Sequence, residues 1–173
     1  VGGYAVQLAK LAGMMVIGIA GGAEKCAYVE NTLGADRCLD HRADDFAAAL
    51  ATALPDGAHQ VFDTTGGPIT DQVFENLAKH ARVLIVGRTA SNNSPTPASD
   101  PVNMRQLWAR EAVVYGFSRY SYPERWAFAR ERMLALCQAG KIRAGHHLVD
   151  GFENTPDALG DMLAGKFFGK VLV

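Results

Sequence analysis

The chain of 173 residues, with 49% hydrophobic and 20% charged residues, has the size and apolar content of one domain. Its formal net charge of -1, with both signs interspersed, excludes a broad basic surface, so we expect no nucleic-acid partner and no membrane partner. Cys26, Cys38 and Cys137 form no C-x-x-C pair, which predicts reduced thiols and no metal site. The apolar stretch 11–23 is too short to span a bilayer and no signal segment is present, so we expect a cytoplasmic protein.

The opening of the chain predicts a glycine turn followed by a helix. Gly2 and Gly3 allow close approach of a phosphate, and the helix from Gly3 to about Leu11 would direct unpaired N–H groups towards it. This is half of a dinucleotide-binding βαβ unit. Because the chain opens on Val1 with neither an initiator Met nor a preceding strand, we interpret it as a piece of a longer protein that lacks the first strand.

The remaining sequence alternates between strand and helix patterns. We predict strands at 14–20, 37–40, 60–63, 82–87, 112–117, 146–149 and 170–173, and helices at 23–33, 43–54, 67–79, 104–110, 123–139 and 155–163. The first of these strands is apolar on both faces, which predicts a central position. The fold class is therefore α/β, a doubly wound, Rossmann-like parallel sheet with ligands at the carboxyl ends of its strands. A Ser-, Asn-, Pro- and Thr-rich segment at 89–102 is long enough to be a functional loop.

The residues after the strand at 14–20 favour NADP(H) over NAD as cofactor. NAD-binding domains usually place an acidic residue there for the ribose 2′-hydroxyl, whereas this chain has Gly21 and Gly22. Lys25, in the first turn of the next helix, could hold a 2′-phosphate, and His41 and Arg42 follow the neighbouring strand.

Each of these residues also has an interpretation without function. Lys25 and Arg42 could be solvated surface charges that Glu24 and Asp40 partly cancel. His41 could simply end its strand, and a glycine pair at a helix start is often only a tight turn. The combination of turn, missing acid and two cations favours the phosphate pocket.

Six segments carry a family resemblance over essentially the whole chain: VGGYAVQLAKLAG, GIAGGAEKC, LGADRCLDHRADDF, VFDTTGG, VLIVGR and GFENTPDALGDMLAGKFFGKVLV. The chain resembles the nucleotide-binding part of zinc-independent medium-chain dehydrogenase/reductases. It is most similar to the NADPH-dependent alkenal and enone double-bond reductases, which include leukotriene/prostaglandin reductases, and then to quinone oxidoreductases. The resemblance implies one NADP-binding domain over residues 1–173 and a separate N-terminal GroES-like catalytic domain outside this chain. It also implies a homodimer that joins through 112–117 and needs no metal.

The resemblance also implies contacts with the cofactor. Val1 and Gly2 match the phosphate turn, Lys25 matches the 2′-phosphate lysine, and His41 replaces a tyrosine that often binds this phosphate. The backbone of Thr65, Gly66, Gly87 and Arg88 matches the surroundings of the nicotinamide ribose and diphosphate, and Phe117 matches a residue beside the nicotinamide. Asn92 replaces a common tyrosine and Phe167 replaces a common asparagine, at positions that shape the nicotinamide and substrate pocket in the family. The resemblance therefore does not identify the substrate. The complete predicted cofactor-binding set is Val1, Gly2, Gly21, Gly22, Lys25, His41, Arg42, Thr65, Gly66, Gly87, Arg88, Asn92, Phe117 and Phe167.

The activity that the resemblance implies is hydride transfer from NADPH to the alkene of a small α,β-unsaturated carbonyl, an enone or alkenal. The alternatives are an NADPH-dependent quinone oxidoreductase and a non-catalytic NADPH-binding regulatory module. A domain for S-adenosylmethionine is disfavoured because Lys25 suits a phosphate better than a bare ribose. We assign no catalytic residue, since Tyr120 and Tyr122 are interpreted as packing residues, and we expect the isolated chain to be inactive.

Overall fold

A computed structural model describes residues 1–89 and 103–173. The helices are α1 (Gly2–Leu11), α2 (Ala23–Asn31), α3 (Phe46–Ala53), α4 (Gly67–Glu75), α5 (Met104–Ala109), α6 (Trp126–Gln138) and α7 (Thr155–Leu163). The strands are β1 (Ile17–Ala20), β2 (Arg37–Asp40), β3 (Ala58–Asp63), β4 (Leu77–Ile85), β5 (Val113–Gly116), β6 (His146–Leu148) and β7 (Lys170–Leu172). The predicted α/β alternation is confirmed in chain order.

The strand pairs of the described residues are parallel, and they fall into three hydrogen-bonded groups: β1–β2, β3–β4–β5 and β6–β7. The single continuous sheet that the sequence predicts is therefore divided within this part of the chain. β1 has β2 as its hydrogen-bonded neighbour, with Ala20 opposite Asp40. Among residues 1–89 and 103–173, β1 therefore lies at the edge of a two-stranded group, and its expected central position stays a prediction.

Two apolar clusters join the first two groups of strands. The buried residues of one cluster are Leu39, Phe46, Leu50 and Val73, and those of the other are Phe74, Leu77, Ala81 and Val83. Ile17 and Ile19 of β1 pack against the first cluster. Val61 of β3 packs against both clusters. The β1–β2 and β3–β4–β5 groups therefore share one apolar interior, although no ladder connects them in the described structure.

The predicted helix over 67–79 is wrong at its C-terminal end. α4 stops at Glu75, and residues 77–79 begin β4, where Leu77 pairs with Ala58. The strand register shifts before Gln60 pairs with Arg82, and His80 adopts a φ of 61° at this irregularity. The apolar spacing predicted a helix because a buried leucine suits both the last turn of a helix and the first residue of a strand.

The start of the predicted strand at 14–20 is also wrong. β1 begins at Ile17, and Met14 and Met15 are exposed. Continuous apolar sequence indicates burial but does not fix where the strand ladder begins. By contrast, β2 and α7 begin and end at the predicted residues.

Long-range contacts attach the C-terminal part of the chain to the first two helices. The side chain of Gln7, buried in α1, donates to the Arg143 carbonyl oxygen at 3.1 Å and accepts from the Arg143 N–H at 2.7 Å. The ring of Tyr28 in α2 stacks on that of Phe168, with 5.4 Å between centroids. Residues 143–168 are thereby held against α1 and α2.

Among residues 1–89 and 103–173, the structure contains no helix with the length and apolar character needed to cross a membrane.

Asp36 links α1 to β1 and predicts an acid-labile contact. Its carboxylate accepts from Lys10 Nζ at 2.8 Å and from the Val16 N–H at 2.6 Å, and these bonds, the lysine first, hold its pKa below the ordinary 3.8. A lowered folded-state pKa stabilises the fold above the unfolded-state value and loses this contribution as pH falls through the folded-state value. We expect Asp36→Asn to be less stable than wild type at neutral pH, with the difference shrinking as pH falls below 3.8 and vanishing below the lower folded-state pKa of Asp36. Urea unfolding across this pH range tests the expectation, and a constant difference would contradict it.

Candidate functional site

The turn between β1 and α2 lies beneath the residues that follow β2. A Cβ atom built on Gly21 would lie 2.8 Å from His41 Nε2 and 2.9 Å from Arg42 Nε, so a side chain at this position would displace both groups. Gly22 precedes α2 with a φ of 96°. The structure therefore brings together Gly21, Gly22, His41 and Arg42, as the sequence predicts, and their contact with a cofactor stays a prediction.

Asp40 fixes this arrangement, and sequence reasoning missed its role. Its Oδ1 accepts hydrogen bonds from the N–H groups of Gly22 and Arg42, each at 2.9 Å. These two bonds, that of Gly22 first, hold the pKa of Asp40 below its ordinary value of 3.8, so the carboxylate is charged at neutral pH. The available signal was an aspartate at a strand end, a residue type that commonly binds backbone two residues further on.

Lys25 lies on the side of α2 that faces the C-terminal segment. Its Nζ is 5.9 Å from the centroid of the Phe168 ring and 3.4 Å from the position of a Cβ on Gly165. Neither contact of this ammonium involves His41 or Arg42. The lysine is half-buried and its stem is flexible, so the predicted role of Lys25 on a 2′-phosphate stays a prediction.

Phe167 belongs to an aromatic cavity beside α2. Its ring stacks on His147 with centroids 4.4 Å apart. The cavity has a volume of about 420 Å³, and its lining residues are Tyr28, Gly145, His146, His147, Lys166, Phe167 and Phe168. The ring of Phe117 stacks on that of Tyr122 with 5.6 Å between centroids, and the predicted contact of Phe117 with the nicotinamide stays a prediction. Within the part of the chain that the structure describes, no ring contact joins Phe117 and Phe167.

A second group of predicted residues converges where β3, β4 and β5 end. The Val86 N–H donates to the Asp63 carbonyl oxygen at 2.7 Å, and the Phe117 N–H donates to the Ile85 carbonyl oxygen at 2.9 Å. A Cβ on Gly87 would lie 3.3 Å from the Thr64 carbonyl oxygen. The loops that contain Thr65, Gly66, Gly87, Arg88 and Phe117 are therefore neighbours, as the sequence predicts.

Asp63 organises the loop after β3, and sequence reasoning missed it as well. The side chain is 8% exposed, and its Oδ1 accepts from the N–H groups of Thr65 at 2.8 Å and Gly66 at 3.1 Å. Its Oδ2 accepts from the Thr70 hydroxyl at 2.6 Å. Both carboxylate oxygens are thus used to hold the loop against α4.

The residues predicted for the phosphate turn lie at an open end of α1. Val1 is 79% exposed, and a Cβ on Gly2 would meet no atom within 4 Å. The Val1 carbonyl oxygen accepts from the N–H groups of Tyr4 and Ala5, which starts the helix. The predicted phosphate contact of Val1 and Gly2 stays a prediction, and Asn92 lies outside the described residues.

Tyr120 and Tyr122 contact neighbouring groups, although both are exposed, and their interpretation as packing residues stays a prediction. The Tyr120 hydroxyl accepts from Arg119 Nη2 at 3.0 Å, and the guanidinium carbon lies 4.6 Å from the centroid of the same ring. Tyr122 stacks on Phe117. Neither contact identifies a proton donor, so no catalytic residue is assigned.

The buried thiol of Cys38 has no feature of a nucleophile. Burial, together with a hydrogen bond to Cys26, raises the pKa of Cys38 to about 12, so its thiol stays protonated. Within the described residues, no group of three or more His, Cys, Asp and Glu side chains is arranged to hold a metal ion. Independence from zinc stays a prediction.

Alternating helices and parallel strands, with glycine-containing loops where the strands end, define a Rossmann-like α/β domain. The solved structure of CurA from Vibrio vulnificus in complex with NADPH is similar to this chain with a TM-score of 0.87 and 38% identity, over 98% of this chain and 52% of that one. The predicted fold class is confirmed. A family model described as zinc-binding dehydrogenase matches residues 1–135, and the chain belongs to this family.

Two curated relatives support the predicted resemblance to the double-bond reductases. The NADPH-dependent curcumin reductase of Escherichia coli (strain K12) is 36% identical over 100% of this chain and 52% of its own length. Prostaglandin reductase 1 of Bos taurus is 32% identical over 100% of this chain and 53% of its own length. The predicted resemblance is confirmed, and the chain spans about half the length of these relatives.

Proposed function

We propose that this chain is the NADP(H)-binding part of an oxidoreductase that reduces the alkene of a small α,β-unsaturated carbonyl. The observation that carries the proposal is the position of His41 and Arg42 over Gly21, where β1 ends without a carboxylate of its own. The similarity to an NADPH-dependent curcumin reductase supports it. A separate catalytic domain would form the other wall of the cleft, in keeping with a chain that spans half of its relatives.

The residues at the β1–α2 turn fit a 2′-phosphate. Arg42 offers a planar guanidinium that can bind two phosphate oxygens, and His41 adds a ring N–H donor. Both groups already lie against the backbone of Gly21, where an added Cβ would collide with them. Lys25 lies in the first turn of α2, one helical turn after Gly21, and would bring a third donor on a flexible stem.

The second group of loops would hold the nicotinamide side of the cofactor. Asp63 occupies the N–H groups of Thr65 and Gly66, and the Thr64 carbonyl oxygen accepts from Thr89, so the Thr65 hydroxyl would be the group of this loop that meets the ligand. The close approach of Gly87 to Thr64 brings the β3 and β4 loops together as one platform. The bound cofactor would supply the hydride, and these loops would orient it towards the substrate.

Cofactor binding is the direct test of the proposal. We expect the full-length protein to bind NADPH at least about tenfold more tightly than NADH, since each charge-assisted hydrogen bond to the 2′-phosphate contributes on the order of 1.5–3 kcal/mol. Lys25→Ala and Arg42→Ala should each reduce this ratio, measured by nicotinamide fluorescence. Lys79→Ala is the matched control, because Lys79 is an exposed cation that pairs with Glu111 away from the β1–α2 turn. Equal binding of NADPH and NADH would contradict the proposal.

Turnover separates the remaining alternatives. NADPH oxidation by the full-length protein with an alkenal and, separately, with a quinone would distinguish a double-bond reductase from a quinone oxidoreductase. Binding without oxidation of NADPH by either substrate would favour a regulatory module. Reduction of an enone by residues 1–173 alone would contradict the need for a separate catalytic domain.

A homodimer that joins through residues 112–117 is part of the proposal. β5 lies at the end of its sheet in the described structure, and the side chains of Val113, Val114 and Tyr115 are exposed. These features suit edge-to-edge pairing of two sheets. Monomeric elution of the full-length protein would contradict it.

A further inference from the structure

We propose that Asp40 is a positioning residue that sets the preference of the β1–α2 turn for a cofactor carrying a 2′-phosphate. The inference rests on the proposed function and adds to it a residue that would act through its neighbours without touching the phosphate. It arises from an acidic side chain at the centre of a group of potential phosphate donors.

One oxygen atom of Asp40 connects the turns that follow two adjacent strands. Oδ1 accepts from the Gly22 N–H, in the turn after β1, and from the Arg42 N–H, in the turn after β2. The strands place this oxygen, because Ala20 lies opposite Asp40 and the His41 N–H donates to the Ala20 carbonyl oxygen at 3.0 Å. The backbone on both sides of the pocket is therefore anchored to a single atom.

This anchor holds two donor side chains, those of His41 and Arg42, next to each other. With the Arg42 backbone held by Asp40, the Arg42 guanidinium and the His41 imidazole lie together over Gly21. Without the two hydrogen bonds, the turns after β1 and β2 are joined less firmly and the donors no longer converge. Preorganised donors bind a phosphate more tightly than donors that must be ordered on binding.

The charge of Asp40 acts in the opposite direction to its hydrogen bonds. An ionised carboxylate repels a bound phosphate, whereas the acceptor geometry assembles the groups that attract it. Substitutions can separate the two effects. Asp40→Asn keeps the Oδ1 acceptor and removes the charge, Asp40→Ala removes both, and Asp40→Glu keeps the charge but moves the carboxylate by one methylene.

The experiment measures the dissociation constants of NADPH and NADH for the full-length wild type and these three variants. We expect the NADPH preference of Asp40→Asn to equal or exceed the wild-type preference. The preference of Asp40→Ala should be about tenfold smaller than that of Asp40→Asn, which corresponds to the loss of about one charge-assisted hydrogen bond. Asp40→Glu should lose preference relative to wild type. The affinity for NADH should change less than about twofold in all three variants, because NADH lacks the phosphate that these donors bind.

Asp36→Ala is the matched control. Its carboxylate also accepts a backbone N–H, that of Val16, but at the opposite end of β1 and β2. This variant should lose stability and keep the NADPH preference. If Asp40→Ala does not fold, the comparison of Asp40→Glu with wild type carries the test.

The outcomes separate this inference from the proposed function. Equal preferences of Asp40→Ala and Asp40→Asn, or an unchanged preference of Asp40→Glu, would overturn the role of Asp40 while NADPH binding stands. A wild type that binds NADPH and NADH equally would contradict the proposed function, and the inference with it. A folded wild type that binds neither would overturn the proposed function, and the inference with it.

Discussion

Replacement of Asp63 by alanine is expected to destabilise the fold by about 3–5 kcal/mol, because each buried polar group left without its partner costs roughly 1–3 kcal/mol. The substitution would remove the acceptor from the N–H groups of Thr65 and Gly66 and from the Thr70 hydroxyl. Thr70 and Gly66 are buried, so water cannot readily replace the lost carboxylate. Urea unfolding followed by far-UV circular dichroism measures the loss.

Two variants test whether hydrogen bonding by Asp63 is the cause. Asp63→Asn keeps an oxygen for the two N–H groups and can donate from its amide to the Thr70 hydroxyl, so it should be more stable than Asp63→Ala by at least about 1 kcal/mol. Thr70→Val removes one of the three bonds and should cost less than Asp63→Ala. Similar stability of Asp63→Ala and wild type would contradict the prediction.

The same loop connects stability to the proposed cofactor site. The Thr89 N–H donates to the Thr64 carbonyl oxygen at 3.1 Å, so a loop released from Asp63 would also release the residues after β4. We therefore expect Asp63→Ala, at temperatures where it remains folded, to bind both NADPH and NADH more weakly. The equal effect on both cofactors distinguishes this loop from the β1–α2 turn, where substitutions should affect NADPH alone.

The grouping of the site residues was predictable because it follows from strand order. Gly21 and His41 follow adjacent parallel strands, and Thr65 and Gly87 follow another adjacent pair, so their loops must be neighbours once the pairing is known. The α/β alternation was predictable for a related reason, since apolar periodicity and glycine or proline boundaries repeat along the chain.

The roles of Asp40 and Asp63 were not predictable with the same means. Each aspartate acts by accepting N–H groups in a turn whose backbone geometry is known only after folding. Sequence pattern identifies residue types that favour such bonds but does not choose among the aspartates of the chain. The packing of Phe167 on His147 was missed for a different reason, because it depends on how the C-terminal segment lies against α2.

Replacement of Gly57 by alanine is expected to cost about 2–5 kcal/mol, of which a left-handed conformation accounts for roughly 1–2 and overpacking for roughly 1–3. Gly57 has a φ of 79°, and an added Cβ would lie 2.5 Å from the Ala78 nitrogen and 2.7 Å from the Ala78 Cα. Both atoms are backbone at the start of β4, so no side-chain rotation relieves the collision. β3 and β4 would have to separate where Ala58 pairs with Leu77.

Gly13→Ala isolates the collision from the conformational cost. Gly13 has a φ of 80°, close to that of Gly57, but an added Cβ would meet no atom within 4 Å. This variant should lose only about 1–2 kcal/mol, the cost of the left-handed conformation. Equal losses for the two variants in urea unfolding would show that β3 and β4 approach less closely at Gly57 than the structure indicates. A larger loss at Gly57 would confirm the close approach of β3 and β4 at the start of a strand pair that ends with Asp63 opposite Ile85, where the two loops of the proposed cofactor site begin.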